Sequence, residues 1–276
     1  MKRPVCLGAL ALAGCAVPAA DSAGDAEPTI VSLNPCTDAV LSEFVGPDRL
    51  LAISHYSQQE GASSMPLERA RGYWATGGTV EEIVSLDPDI VVGSTFMPPA
   101  VRKALSDTGI RVEQFGGIAS IAESREQVAR LARLAGSPRA GAKLDRELAA
   151  VERAVTPDRA VEAALWQPGG IVPGEGALIV ELLRAAGFAD YGSARGMGQA
   201  GYLSLEQVVA DPPDVLLVAG TEAAMRHPVL SRIPGMAVAQ FDPALLYCGG
   251  PTIPAAVRRL RTIRDEVERS GRAEEA

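Results

Sequence analysis

Thr79-Val80-Glu81-Glu82-Ile83-Val84-Ser85-Leu86-Asp87-Pro88-Asp89-Ile90-Val91-Val92 decides the fold, because the same pattern returns without a gap as Ser204-Leu205-Glu206-Gln207-Val208-Val209-Ala210-Asp211-Pro212-Pro213-Asp214-Val215-Leu216-Leu217. Each stretch opens with a capping box, Thr79 with Glu82 and Ser204 with Gln207, in which the hydroxyl takes the N3 amide and the N3 side chain reaches back to the N-cap amide. A short helix follows, proline stops it, and an aliphatic strand comes next. A duplicated helix–strand unit implies two similar lobes. It also places Glu81 and Glu206 at equivalent surface positions, one per lobe.

Around the first copy, strands are expected at 29–33, 50–54, 90–93 and 111–115, and helices at 38–45, 80–86 and 99–108. Around the second, strands are expected at 161–166, 215–219 and 237–241, with helices at 177–186, 205–210 and 253–268. Alternation of this kind predicts an α/β protein of two Rossmann-like lobes, each a mostly parallel sheet covered on both faces. Between the lobes runs a segment rich in Ala, Leu, Arg and Glu, broken at Gly136-Ser137-Pro138. Its second helix, from Pro138 to about Val155, is the expected interlobe strut, with the ligand cleft between the lobes. The expected division is 1–27 export signal and tether, 28–120 N-terminal lobe, 121–156 helical connector and 157–276 C-terminal lobe. Arg258, Arg259 and Arg261 on the closing helix are expected on a solvated face.

The 276 residues carry a formal charge of −8, 47% hydrophobic residues and 4% aromatics. With no long basic run, nucleic acid is excluded as a partner. The amino terminus reads as an export signal: Lys2 and Arg3, then an apolar core from Val5 to Ala13. Leu12-Ala13-Gly14-Cys15 resembles the lipobox in which the cysteine is lipidated, and cleavage near Ala19 or Ala20 is the alternative. Export leaves Cys36 and Cys248 in the mature chain, where an oxidising compartment permits a disulfide; free thiols and separate buried cysteines are the other readings. Two histidines do not make a multi-histidine metal site, and no resident cofactor is expected.

A dinucleotide enzyme is the rival class, since Gly196-Met197-Gly198-Gln199-Ala200-Gly201 satisfies G-x-G-x-x-G. No strand leads into it and no helix starts at it, so the fingerprint lacks its context. No nucleophile, base and orienting residue assemble, so catalysis is not expected.

The opening Ile30-Val31-Ser32-Leu33-Asn34-Pro35-Cys36-Thr37-Asp38, followed by Arg49-Leu50-Leu51-Ala52-Ile53-Ser54, resembles the first strand–helix–strand unit of periplasmic solute-binding proteins of ABC importers, in the branch serving corrinoids, iron-siderophores and haem. The resemblance runs from about residue 28 to about residue 270. It implies two lobes joined by a long helix, a ligand cleft between them, and one glutamate per lobe docking on a permease dimer in the inner membrane. Glu81 and Glu206 match those positions. It also implies a monomer in the periplasm, anchored if Cys15 is lipidated, carrying a corrinoid, a ferric siderophore or haem whose metal arrives with the ligand.

Ligands of open parallel sheets lie beyond the carboxyl ends of the strands. The expected cleft loops are 34–38, 55–59, 73–78, 95–98, 167–176 and 247–252. They and their margins hold Cys36, His55, Tyr56, Tyr73, Trp74, Trp166, Tyr247 and Cys248 as cleft residues. Tyr73 is the expected axial ligand were the cargo haem, and His55 the residue expected to reach an iron or cobalt centre.

Overall fold

A computed structural model describes residues 27–152 and 161–274. The export segment with Cys15 lies outside the described residues, as does the end of the connector at Val155.

The first lobe runs β1 (Ile30–Ser32), α1 (Pro35–Leu41), β2 (Leu50–Ser54), α2 (Leu67–Ala70), β3 (Ala75–Thr76), α3 (Val80–Ser85), β4 (Ile90–Ser94), α4 (Pro99–Asp107) and β5 (Arg111–Phe115). Its five strands pair in parallel in the order β3-β2-β1-β4-β5. The connector is a helical hairpin, α5 (Ile121–Leu134) and α6 (Pro138–Glu152). The second lobe runs β6 (Val161–Trp166), β7 (Ile171–Val172), α7 (Leu178–Ala185), β8 (Phe188–Asp190), α8 (Tyr191–Ala194), β9 (Gly201–Tyr202), α9 (Leu205–Ala210), β10 (Val215–Val218), β11 (Ala237–Gln240) and α10 (Thr252–Glu274). Its parallel sheet has the order β11-β10-β6-β8, with β7 and β9 an antiparallel pair beside it.

The two sheets are built alike. β1 lies between β2 and β4 as β6 lies between β8 and β10, so the strand order reverses direction at the first strand of each lobe. α3 feeds β4 and α9 feeds β10, and each buries one aliphatic residue on the outer face of its sheet, Ile83 among Val31, Ala52 and Val91, and Val208 among Ala164, Trp166 and Leu216. Strands covered on both faces read as unbroken aliphatic runs, and all four residues of β10 are buried. The short strands β3, β7, β8 and β9 have two or three residues each, too few for a periodic signal in sequence.

One capping box differs from expectation. In α9 the reciprocal bonds are present, Gln207 N–H to Ser204 Oγ at 3.3 Å and Ser204 N–H to Gln207 Oε1 at 2.8 Å. In α3 the Thr79 hydroxyl accepts from Glu82 N–H, but the Glu82 carboxylate turns to the Thr76 hydroxyl (2.7 Å) and the Gly77 amide (2.9 Å). Those donors hold the Glu82 carboxyl below the usual carboxylate range, the Thr76 hydroxyl foremost.

The inner faces of both sheets, the connector and α10 share one core, in which Ile30, Ile90, Leu131, Leu148, Leu165, Leu217 and Leu260 are all buried. α5 and α6 approach closely where Gly141 meets Ala132, since a β-carbon at Gly141 would stand 2.2 Å from that of Ala132. Arg125 on α5 pins the hairpin by bonding Asp145 (2.7 Å) and Glu152 (2.9 Å) on α6. α10 packs on α6 and α7, so α6 is braced along its length rather than free-standing. The solvated face expected of α10 holds only for Arg258. The half-buried Arg261 donates to the carbonyl of Ala185 at 3.0 Å, because α10 crosses the carboxyl end of α7, where free carbonyls attract cations, and Arg259 donates to the carbonyl of Gln240 at the end of β11 at 3.2 Å.

Candidate functional site

The carboxyl ends of the strands set the site. β5 runs into Gly116-Gly117-Ile118-Ala119, β6 into Gln167, and the loop after β11 into Leu246–Gly250. These segments, with the starts of α1, α5 and α7, enclose a cavity of about 360 Å³. Ser124, Gln127, Gln167 and Gln199 supply its polar side chains together with Tyr247, and among the described residues that line it none carries a charge.

Local sequence positions each wall. Asn34 caps α1 by accepting the Cys36 amide (2.9 Å), with Pro35 at the first helical position. Segment 34–38, expected as a loop, is therefore the first turn of α1, and it carries Cys36 to the cavity. Cys248 reaches the same wall from the far end of the chain, and the two form a disulfide with Cα atoms 5.1 Å apart across a sequence separation of 212. The loop beside it packs on the connector: Ser124 Oγ on α5 accepts the Gly250 amide at 2.8 Å. The bridge ties the first helix to the segment that opens α10.

Behind Cys36 lies a buried polar cluster. Asp38 is fully buried and its Oδ2 accepts the Ser54 amide (2.9 Å) and the Ser57 hydroxyl (2.7 Å). Its other oxygen has no partner among the described residues. Burial dominates and pushes the Asp38 carboxyl up to about 8, against the pull of the hydrogen bonds from Ser57 and Ser54. The group holds the segment after β2, and with it Tyr56, against α1.

Of the eight residues expected in the cleft, Cys36, Tyr247 and Cys248 line the cavity and five do not. Trp166 is 2% exposed, with its indole N–H donating to the Leu203 carbonyl at 2.9 Å. Successive strand residues face opposite sides, so Leu165 faces the cavity and Trp166 the outer core. Tyr73 packs on the first core and donates its hydroxyl to the Val45 carbonyl (3.1 Å), which removes the expected axial ligand. Trp74 is 69% exposed at the sheet edge before β3. His55 and Tyr56 form a 3-10 turn after β2, their rings 4.1 Å apart, with His55 Nδ1 3.3 Å from the Thr76 carbonyl. Sequence reading placed Gln167 at the cleft only as the start of the 167–176 loop and passed over Gln127 and Gln199, because glutamine in a helix or loop carries no periodic signal. Among the described residues no group of three or more His, Cys, Asp or Glu side chains could hold a metal ion.

The G-x-G-x-x-G segment packs against its own lobe. The carbonyls of Met197 and Gly198 accept the amides of Glu175 and Gly174, both at 2.9 Å, and Gly174 has no room for a side chain, since a β-carbon there would stand 2.3 Å from the Met197 carbonyl oxygen. Glu81 and Glu206 are exposed at the second position of α3 and α9. The Glu206 carboxyl is held below its usual range by its own backbone amide and by Ser204.

The chain resembles a cobalamin-binding protein of Halobacterium salinarum, 30% identical over 204 residues that make up 70% of this chain and 54% of the relative. It thus spans about half the length of that relative. Among solved structures, the periplasmic haem-binding protein from Roseiflexus sp. RS-1 in apo form superposes with a TM-score of 0.66 at 20% identity, over 88% of this chain and 98% of that one. The periplasmic vitamin B12 binding protein of Vibrio cholerae does so with a TM-score of 0.65 at 17% identity, over 87% and 98%. At such identities the structures speak for the fold, two α/β lobes around a cleft. The match to the periplasmic binding protein family covers residues 30–239, both sheets and the connector between them, and the chain belongs to that family.

Proposed function

We propose that this chain is the extracytoplasmic binding component of an ABC importer and that its cargo is a corrinoid. It acts by capture and delivery, not by catalysis. The observation that carries the cargo is the uncharged wall of the interlobe cavity. A corrin ring is fringed with neutral carboxamides, which a wall of amide, hydroxyl and backbone groups can match. Haem brings two carboxylates and many siderophores bring several, and those anions call for cations at the wall. A volume of about 360 Å³ takes one edge of the macrocycle, with the rest lying in the open cleft against Tyr247. The name of the Halobacterium relative supports the same cargo.

Delivery falls to Glu81 and Glu206, whose carboxylates project from equivalent helices and would meet basic groups on the two halves of a permease. The chain would work as a monomer in the periplasm, with Cys15 as a lipid anchor. A second reading, haem, is favoured by the Tyr247 phenol, 48% exposed at the cavity and available to iron. Titrating the protein lacking its export segment with cobinamide, cobalamin, haemin and a ferric hydroxamate, followed by tryptophan fluorescence, decides between them. Corrinoids are expected to bind tightest. Tighter binding of haemin, abolished by Tyr247→Phe, would replace the corrinoid with haem.

A further inference from the structure

Two of the cavity's glutamines are held in one orientation. Gln127 Nε2 donates to the carbonyl of Gly116 at 2.9 Å, and Gln199 Nε2 donates to the carbonyl of Gly176 at 3.0 Å. A backbone carbonyl can only accept, so each amide must turn its NH₂ to the backbone and its Oε1 away. Neither Oε1 receives a hydrogen bond from the described residues, and both side chains line the cavity.

The two come from opposite walls. Gln127 is half-buried on α5, anchored to the loop that leaves the first sheet, while Gln199 stands exposed at the second lobe's lip. The paired loops 174–176 and 197–199 fix that lip through their backbone hydrogen bonds.

Resting on the corrinoid reading, we propose that Gln127 and Gln199 are specificity residues: two fixed oxygen acceptors that read carboxamide N–H groups on the ligand's edge and reject carboxylates. A primary amide supplies the proton that each Oε1 lacks. A carboxylate in the same place sets oxygen against oxygen with no proton between them, and both lose water without gaining a partner. Once the ligand covers them, discrimination by an acceptor left unpaired amounts to about tenfold per site.

The test compares cobinamide with cobyrinic acid, which keeps the ring and the cobalt but carries carboxylates in place of the amides. Wild-type protein is expected to favour cobinamide by about a hundredfold, a factor of about ten from each glutamine. Gln127→Leu and Gln199→Leu should each shrink that ratio about tenfold, and Gln199→Lys should shift it further toward the acid. A ratio is used because loss of folded protein weakens both ligands alike and leaves it unchanged. A ratio that survives both leucine substitutions overturns the glutamine assignment and spares the cargo. A wild-type protein that binds neither corrinoid overturns cargo and assignment together, and the wild-type titration shows this before any variant is made.

Discussion

Units 79–92 and 204–217 agree wherever they face their sheet or the outside and differ wherever they face their own lobe's loops. Ile83 and Val208 are both fully buried, and Val84 and Val209 are exposed at 41% and 44% beside Glu81 and Glu206. Asp89 accepts the Thr29 amide and Asp214 the Glu162 amide, each at 2.8 Å, so each unit ties its strand to the amino end of the neighbouring one. The divergence starts at the third helical residue, where Gln207 closes its box and Glu82 leaves to hold the turn at 76–77. It continues at the helix end. Leu86 ends α3 in a helical conformation and the next residue, Asp87, turns left-handed (φ 48°), whereas Asp211, the counterpart of Leu86, leaves the helical region (φ −141°, ψ 77°) and pairs with Arg195 at 2.7 Å. The same helix–strand frame therefore serves two settings, alike where it meets its sheet and unlike where it meets its own lobe's loops.

The largest effect that could break the comparison is on transport. Glu81→Ala with Glu206→Ala should abolish uptake through the cognate permease while ligand affinity stays as in the wild type, and each single change should have the smaller effect. Vesicle uptake assays beside ligand titration measure both, and lost ligand binding in the double variant would sink the docking role. Next comes the core. Ile83→Ala should cost about 2–5 kcal/mol and the smaller Val208→Ala about 2 kcal/mol by urea unfolding. Equal and negligible costs would show that these residues do not anchor their helices.

A third test contrasts the acids at the fourth position of α1 and α7. Glu181 reaches out to the Ile121 amide at 2.8 Å, whereas Asp38 stays buried. With its carboxyl raised from 3.8 to about 8, folded protein keeps a proton that the unfolded chain releases. The associated stability is present below about pH 4 and is lost as pH rises toward 8, at no more than about 1.4 kcal/mol per pH unit. Asp38→Asn should flatten that decline in a urea series across the range, and an unchanged slope would contradict the buried neutral acid. The smallest effect lies at the caps. Ser204→Ala should cost about 1 kcal/mol, and Thr79→Ala less, because Glu82 is bound elsewhere and stays so. A larger loss at Thr79 would reverse that account.

Much of the architecture was legible because it rests on local signals. The caps at Thr79 and Ser204, the proline stops and the aliphatic runs 90–92 and 215–217 depend on neighbours in the chain, and β2, β5, β6 and α9 fall where their residues predict. The site was legible in outline: the 247–252 and 167–176 loops do reach the cavity, and so does the start of α1. Trp166 was misplaced for a simple reason. A shift of one residue along β6 exchanges cavity for core, and composition cannot register it.

By itself, then, the sequence determined two like α/β lobes, a helical connector between them and a matched pair of exposed glutamates, since backbone hydrogen bonding and hydrophobic periodicity act over a few residues. Only the tertiary structure decided that Cys36 meets Cys248, that Trp166 and Tyr73 serve the core, and that Gln127 and Gln199 face one cavity with their oxygens free. Those outcomes depend on how distant segments pack, and no local pattern records that.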